Sequence, residues 1–284
     1  MAINYDTLMA IGKKDVACDY SDRDRMLYAL ATGFGADPLN SKSLPYVVET
    51  RGHHTVPAMA ASLAYPEFLV DCGWDYRKVL HSEQKLDLYR PLPPAAELLV
   101  NYRVDSVVDR GEKKGAVVRV VTDARLKRDD TALFTTETTL IARGDGGIGG
   151  PSAPLQIPHR LPKRDPDLSC DMNVRRDQAL LYRLTGDRNP LHADPTVARA
   201  AGFEEPILHG LCTYGMACHA VLKTICDYDF TLISGFDVKF SAPVYPGDTV
   251  TTDMWQDRNI VSFRSYVRER DTTVLNNGRC VLAV

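Results

Sequence analysis

The chain has 284 residues, 44% apolar and 25% charged, with 34 Lys and Arg against 37 Asp and Glu for a net charge of −3. This composition excludes wholesale disorder and fibrous repeats, and the near-neutral balance argues against a nucleic-acid binder or a protein of anionic membrane surfaces. No stretch approaches the roughly 20 apolar residues of a spanning helix. The opening Met1-Ala2-Ile3-Asn4-Tyr5-Asp6 has no basic, apolar leader, so no secretory signal is expected. At roughly 150 residues per domain, the length predicts two domains. The seven cysteines (18, 72, 170, 212, 218, 226 and 280) are scattered without a C-x-x-C pair. Such usage fits reduced thiols in an intracellular protein and argues against a zinc ribbon or a disulfide framework.

In chain order, the first half predicts a helix over 22–30, a run of small residues over 57–64, and strands over 79–89, 97–109, 115–124 and 133–142. Glycine and proline then crowd 144–166, which reads as a linker because both residues disfavour helix and strand interiors. Within it, Gly144-x-Gly146-x-x-Gly149 formally matches a dinucleotide fingerprint. That fingerprint works only when the glycines open a helix whose N-terminus holds the pyrophosphate, and here Pro151 follows instead. The match is accidental. The second half predicts a short helix over 176–184 and a long, almost uncharged one over 206–225. Apolar all round, the latter has to be buried. Strands follow over 232–240, 249–255, 260–268 and 277–284. A buried helix followed by an antiparallel sheet in each half is an α+β arrangement.

The halves echo one another in order. Tyr28-Ala-Leu with Asp37-Pro-Leu-Asn40 resembles Tyr182-Arg-Leu with Asn189-Pro-Leu-His192, and 91–98 resembles 243–250. Two echoes in register suggest a duplicated domain.

The chemistry concentrates in Tyr182-Arg-Leu-Thr-Gly-Asp187-Arg-Asn189-Pro-Leu-His192-Ala-Asp194, continuing to Pro206-Ile-Leu-His209-Gly210. A carboxylate, a carboxamide and an imidazole fall within six positions, between Gly186 and Pro190, on a loop of the kind that presents functional side chains. If the long helix starts near Gly210, its first N–H groups are unpaired and can hold an oxyanion. An acid–base pair with oxyanion donors suits chemistry beside a carbonyl. The plainer reading is a set of Asx-turns and caps. His209 reads as a cap or orienting group for the helix start, Asp194 as a cap for the helix after it, and Cys212 and Cys218 as core residues. His53, His54 and His81 read as structural or solvent-exposed.

This run of residues, with Ala201-Gly-Phe and Pro206-Ile-Leu-His-Gly-Leu downstream, resembles the hydratase 2 motif of the MaoC-like, (R)-specific enoyl-CoA hydratases. The two-half layout and the 144–150 seam resemble the double hot-dog members of that family. The resemblance implies a tandem hot-dog fold, each half a long buried helix wrapped by an antiparallel sheet, divided into 1–143, a 144–166 linker and a catalytic 167–284. It implies hydration of trans-2-enoyl-CoA to the (3R)-hydroxyacyl-CoA and the reverse dehydration. Asp187 and His192 would hold the water, Asn189 would orient the water or the pair, and the Gly210 N–H would polarise the thioester carbonyl. Neither a metal nor a redox cofactor is needed. The expected partner is the acyl-CoA substrate, with no nucleic acid or membrane, and a homodimer by resemblance.

In the first half the positions of Asp187, Asn189 and His192 fall on Gly35, Asp37 and Asn40, so a non-catalytic domain that accommodates the acyl tail is expected. Arg188, Lys239 and Arg264 are unranked candidates for the CoA phosphates. An acyl-CoA thioesterase and a 3-hydroxyacyl-ACP dehydratase are the alternatives, with a non-catalytic acyl-binding subunit behind them. The ending Val281-Leu-Ala-Val284 carries no Ser-Lys-Leu-type address, which leaves the cytoplasm as the expected compartment, with the peroxisome, where the family also works, as the alternative.

Overall fold

The computed structural model describes residues 4–66, 72–74, 78–150 and 157–283. Its strands are β1 (Gly12–Tyr20), β2 (Val79–Leu88), β3 (Ala96–Asp109), β4 (Ala116–Leu126) and β5 (Ala132–Ala142), then β6 (Leu168–Asn173), β7 (Ile233–Phe240), β8 (Thr249–Asp257), β9 (Ile260–Val267) and β10 (Thr272–Leu282). All pair antiparallel in one ten-stranded sheet of order β1-β3-β4-β5-β2-β7-β10-β9-β8-β6. From either edge inward, each half places its first strand, then third, fourth, fifth and second. The two halves therefore share one topology, and they join where Glu83, Gln84 and Asp87 of β2 pair with Lys239, Val238 and Gly235 of β7.

The helices are α1 (Tyr5–Met9), α2 (Asp22–Ala31), α3 (Met59–Leu63), α4 (Gln178–Tyr182), α5 (Pro195–Ala200) and α6 (Gly210–Thr224). A capping box of Ser21 and Asp24 starts α2, and the Asp194 carboxylate accepts from the Thr196 N–H to start α5, as a cap should. The uncharged stretch that predicted a buried helix forms α6, in which Cys212–Leu222 are all buried. Val221, Leu222 and Met216 contribute roughly 1.5–3 kcal/mol each by that burial.

This is the expected double hot-dog arrangement, with a correction in its detail. The expectation of a long buried helix in each half holds for the second half alone. Among the described residues its counterpart in the first half is the five-residue α3, even though the small residues Met59, Ala60 and Ala61 are buried as a helix core would be.

The echo tyrosines Tyr28 and Tyr182 meet between α2 and α4, with ring centroids 6.0 Å apart. Beside them α6 crosses α2 so closely that a Cβ on Gly215 would lie 2.5 Å from Thr32 Cγ2 and 2.7 Å from the Tyr28 hydroxyl. Gln178 Nε2 donates to the Ala31 carbonyl at 3.0 Å, and His219 Nδ1 to that of Thr32 at 3.1 Å while its ring stacks on Phe34. These contacts put both halves into one core.

The glycine seam has a structural job. Residues 144–150 form a turn and extended chain, not a helix. The Asp109 carboxylate accepts from the N–H groups of Gly111, Gly147 and Gly149. A side chain at Gly146 would meet the Gly111 carbonyl oxygen at 2.2 Å. The dinucleotide-like spacing thus folds around the protein's own carboxylate. Beyond it, 157–166 is extended and tacked to the second half, with His159 Nε2 2.8 Å from Ser262 Oγ and Trp255 Nε1 donating to the Arg164 carbonyl.

Candidate active site

The chain leaves α4 through a 3-10 turn, Arg183–Thr185, and reverses at Gly186, whose φ of 140° is in the region that favours glycine. Two nested turns follow. Asp187 Oδ1 accepts from the Asn189 N–H at 3.0 Å, and Asn189 Oδ1 accepts from the Leu191 N–H at 3.0 Å, capping the short turn Pro190–His192. These are the Asx-turns of the plainer reading. They also build the site, because they leave Asp187 exposed at the rim and His192 buried behind it.

His192 Nδ1 lies 2.9 Å from the Ile207 carbonyl oxygen. A carbonyl only accepts, so Nδ1 carries the proton and the Nε2 lone pair is left for chemistry. Burial pushes the His192 pKa below that of an ordinary histidine and so favours the neutral ring, opposed by the Ile207 hydrogen bond and the nearby Asp187 charge. Titratable atoms of Asp187, His192 and His209 all lie within 4.8 Å of one another. His192 and His209 stack with centroids 3.8 Å apart and planes 28° apart. Lone pairs lie in the ring plane, so the stacked imidazoles present theirs side by side.

His209 Nε2 donates to the Asp187 carbonyl at 3.2 Å, and the residue is the N-cap of α6. Gly210 is therefore the first residue of the helix, exposed, next to a residue bonded to the Asp187 backbone. Its N–H is one of the unpaired donors of a helix start, where the macrodipole favours negative charge. Phe240 flanks it, 3.4 Å from where a Gly210 Cβ would lie, and His81 of the first half packs against that ring with centroids 4.6 Å apart.

Of the four residues expected at the site, Asp187 and His192 come together and Gly210 is tied to them through His209. Asn189 orients the Asp187 carboxylate through its backbone N–H, while its side-chain oxygen is engaged in the loop itself. Two contributors were not anticipated: the Ile207 carbonyl, which no side-chain motif reveals, and Tyr182, whose ring lies 4.9 Å from His209 and whose hydroxyl is 2.7 Å from Ser62 Oγ of the first half. The echo of Tyr28 by Tyr182 was the available signal. Of the phosphate candidates, Arg264 is paired with Asp253 at 3.1 Å, Lys239 sits on β7 opposite Glu83, and Arg188 is exposed in the loop itself. His53 is exposed near Asp22, whereas His54 packs against Tyr46 and Phe230.

The double hot-dog sheet thus sets the Asp187 loop and His192 at the N-terminus of its long buried helix. Residues 159–277 match the MaoC like domain and residues 18–144 the MFE-2 hydratase 2 N-terminal domain. The chain is 37% identical to enoyl-CoA hydratase ChsH3 of Mycobacterium tuberculosis over 98% of each chain. It is 34% identical to the peroxisomal enoyl-CoA hydratase 2 of Arabidopsis thaliana over 96% of this chain and 93% of that one. The solved MaoC-like dehydratase of Phytophthora capsici superposes with a TM-score of 0.86 at 28% identity, over 99% of this chain and 98% of that one. The chain belongs to the MaoC-like hydratase 2 family.

Proposed function

We propose that the chain catalyses the (R)-specific hydration of trans-2-enoyl-CoA to (3R)-hydroxyacyl-CoA and the reverse dehydration, with Asp187 and His192 as the acid–base pair. The observation that carries this reading is the exposed Asp187 carboxylate beside the open Nε2 of a neutral, buried His192, at the start of α6. Water held between the two adds its oxygen to Cβ of the enoyl thioester. The pair takes one proton from the water and returns one to Cα, so the enzyme ends as it began. Burial favours the neutral form of His192, so its Nε2 lone pair is free to take a proton when the water reacts. The Gly210 N–H receives the charge that develops on the thioester oxygen, where such donors act without reorganisation. Asn189 keeps the Asp187 carboxylate turned to the water through its N–H bond.

Residues 1–143 form the non-catalytic half, 144–166 the linker and 167–284 the catalytic half. The shortness of α3 against the 15-residue α6 supports a first half that makes room for the acyl tail. Residues 1–143 and 167–284 are taken to act within a homodimer, on the strength of the family resemblance. Cys18, Cys170, Cys212, Cys218, Cys226 and Cys280 are free thiols, which supports a reducing compartment such as the cytoplasm. No helix among the described residues is long and apolar enough to cross a membrane.

The test is incubation with crotonyl-CoA and with a longer 2-enoyl-CoA, following loss of the enoyl absorbance with chiral analysis of the product. A (3R)-hydroxyacyl-CoA product is expected. Free CoA without a hydroxy product would establish a thioesterase instead, and a preference for carrier-protein thioesters over CoA thioesters would establish an ACP dehydratase.

A further inference from the structure

We infer that His209 is a positioning residue of this reaction, clamping the Asp187 loop and the His192 ring to the start of α6; the inference rests on the Asp187–His192 reading above. Three independent contacts converge on it. Its Nε2–H holds the Asp187 carbonyl at 3.2 Å, its ring face lies on His192 at 3.8 Å, and its backbone is the N-cap that precedes Gly210. One side chain therefore links the general acid–base pair to the oxyanion donor.

The job requires an imidazole. A flat face is needed for His192 and a donor at the far tip for Asp187. Phenylalanine has the first alone, glutamine the second alone. His209 is only 1% exposed, and its Nδ1 is buried with no hydrogen-bond partner. With Nε2–H given to the Asp187 carbonyl, Nδ1 is the bare acceptor of the neutral ring, and a second proton there would place a cation against the ring of His192. Burial and the neighbouring His192 and Arg183 hold the His209 pKa down to about 2, opposed by the bond to Asp187, so the ring stays neutral wherever His192 works. The other groups facing it are Tyr182, itself bonded to Ser62 across the two halves, and the backbone of Asp187.

The role can be read without altering the protein. Nitrogen-15 spectra of the histidine-labelled full chain are expected to show His209 as the Nε2–H tautomer and His192 as the Nδ1–H tautomer, with His209 not titrating between about pH 5 and 8. Titration of His209 in that range, or the opposite tautomer, overturns the proposal. Two variants then divide the contacts. His209→Phe keeps the ring and loses the donor; His209→Gln keeps a donor and loses the ring. Each is expected to lower kcat about 10-fold or more with KM within about 3-fold, since small misplacements of reacting groups cost rate more than binding. In His209→Gln the acid limb of the kcat/KM profile is also expected to move to higher pH, because water reaching His192 eases its protonation. A merely structural role would lower the folded fraction and leave that limb in place. Asp187→Asn is measured in parallel. Full turnover there sinks the acid–base reading itself. An inactive Asp187→Asn beside His209 variants of unchanged kcat and pH profile sinks the positioning role alone.

Discussion

The loops that follow α2 and α4 are built alike and used differently. In the first half, Asp37 Oδ1 accepts from the Leu39 N–H at 2.9 Å; in the second, Asn189 Oδ1 accepts from the Leu191 N–H at 3.0 Å, with a proline between in each case. Both loops are entered through glycines of positive φ, Gly33 and Gly35 in one, Gly186 in the other. They diverge at the last residue. Asn40 Nδ2 donates to the Tyr228 hydroxyl at 2.9 Å, tying its loop to the second half, whereas His192 gives Nδ1 to Ile207 and leaves Nε2 open. The Asx-turn is thus a scaffold common to both halves. Chemistry depends on what the scaffold presents, and on whether a long helix begins beside it.

That comparison can be broken most severely at its catalytic end. His192→Gln is expected to lower kcat for 2-enoyl-CoA hydration by about 10²–10⁴-fold, the usual range for a general acid–base group, measured by steady-state kinetics. Gly210→Pro removes one N–H at the first helical position, where proline is tolerated, and His209 already has the extended ψ of 138° that a following proline requires. A loss of about 10²–10³-fold in kcat is expected, with the far-ultraviolet circular dichroism unchanged.

Effects on stability are smaller and test how the halves are joined. Gly215→Ala forces a methyl against Thr32 and Tyr28, and should destabilise by about 1–3 kcal/mol in urea unfolding. Burial holds His219 at a pKa of about 4. The unfolded chain takes up that proton near the ordinary 6.5 and the folded chain only near 4. His219 therefore removes stability as pH falls through this window, by about 1.4 kcal/mol per pH unit at most. His219→Gln should flatten that part of the stability–pH curve. The smallest effect is expected at the loop that lacks the histidine. Asn40→Ala should cost about 1 kcal/mol through the lost Tyr228 bond and leave kcat within about twofold.

Much of this was legible in the sequence, for physical reasons. The buried helix and the central strands announce themselves because apolar residues recur where the sheet and helix are covered. The catalytic loop is legible because its turn residues and titratable groups are contiguous. The edge strands β1 and β6 were missed. Both are largely exposed and polar, as natural sheets protect their edges, and their alternation is short: Val16, Cys18 and Tyr20 in one, Cys170 and Met172 in the other. β10 was placed too late because Asn276-Asn277-Gly278 reads as a turn, whereas it is a bulge inside the strand, with Asn277 at a φ of 55°. The first half's helix was overestimated because small buried residues continue to look helical after the helix has shortened to one turn. His209 as the connecting element was illegible, since its partners lie 17 and 22 residues upstream and one of them is a backbone carbonyl.

The most direct test of the central claim is the turnover of Asp187→Asn with a 2-enoyl-CoA substrate, taken together with its melting temperature. Asp187 is exposed, and its carboxylate holds the Asn189 N–H of its own loop, while the His209 bond is to its backbone carbonyl, which the substitution leaves in place. The predicted result is a melting temperature within a few degrees of the unmodified protein and a kcat lower by at least about 10²-fold. Turnover within a few-fold of the unmodified enzyme, in a variant that folds normally, would contradict it.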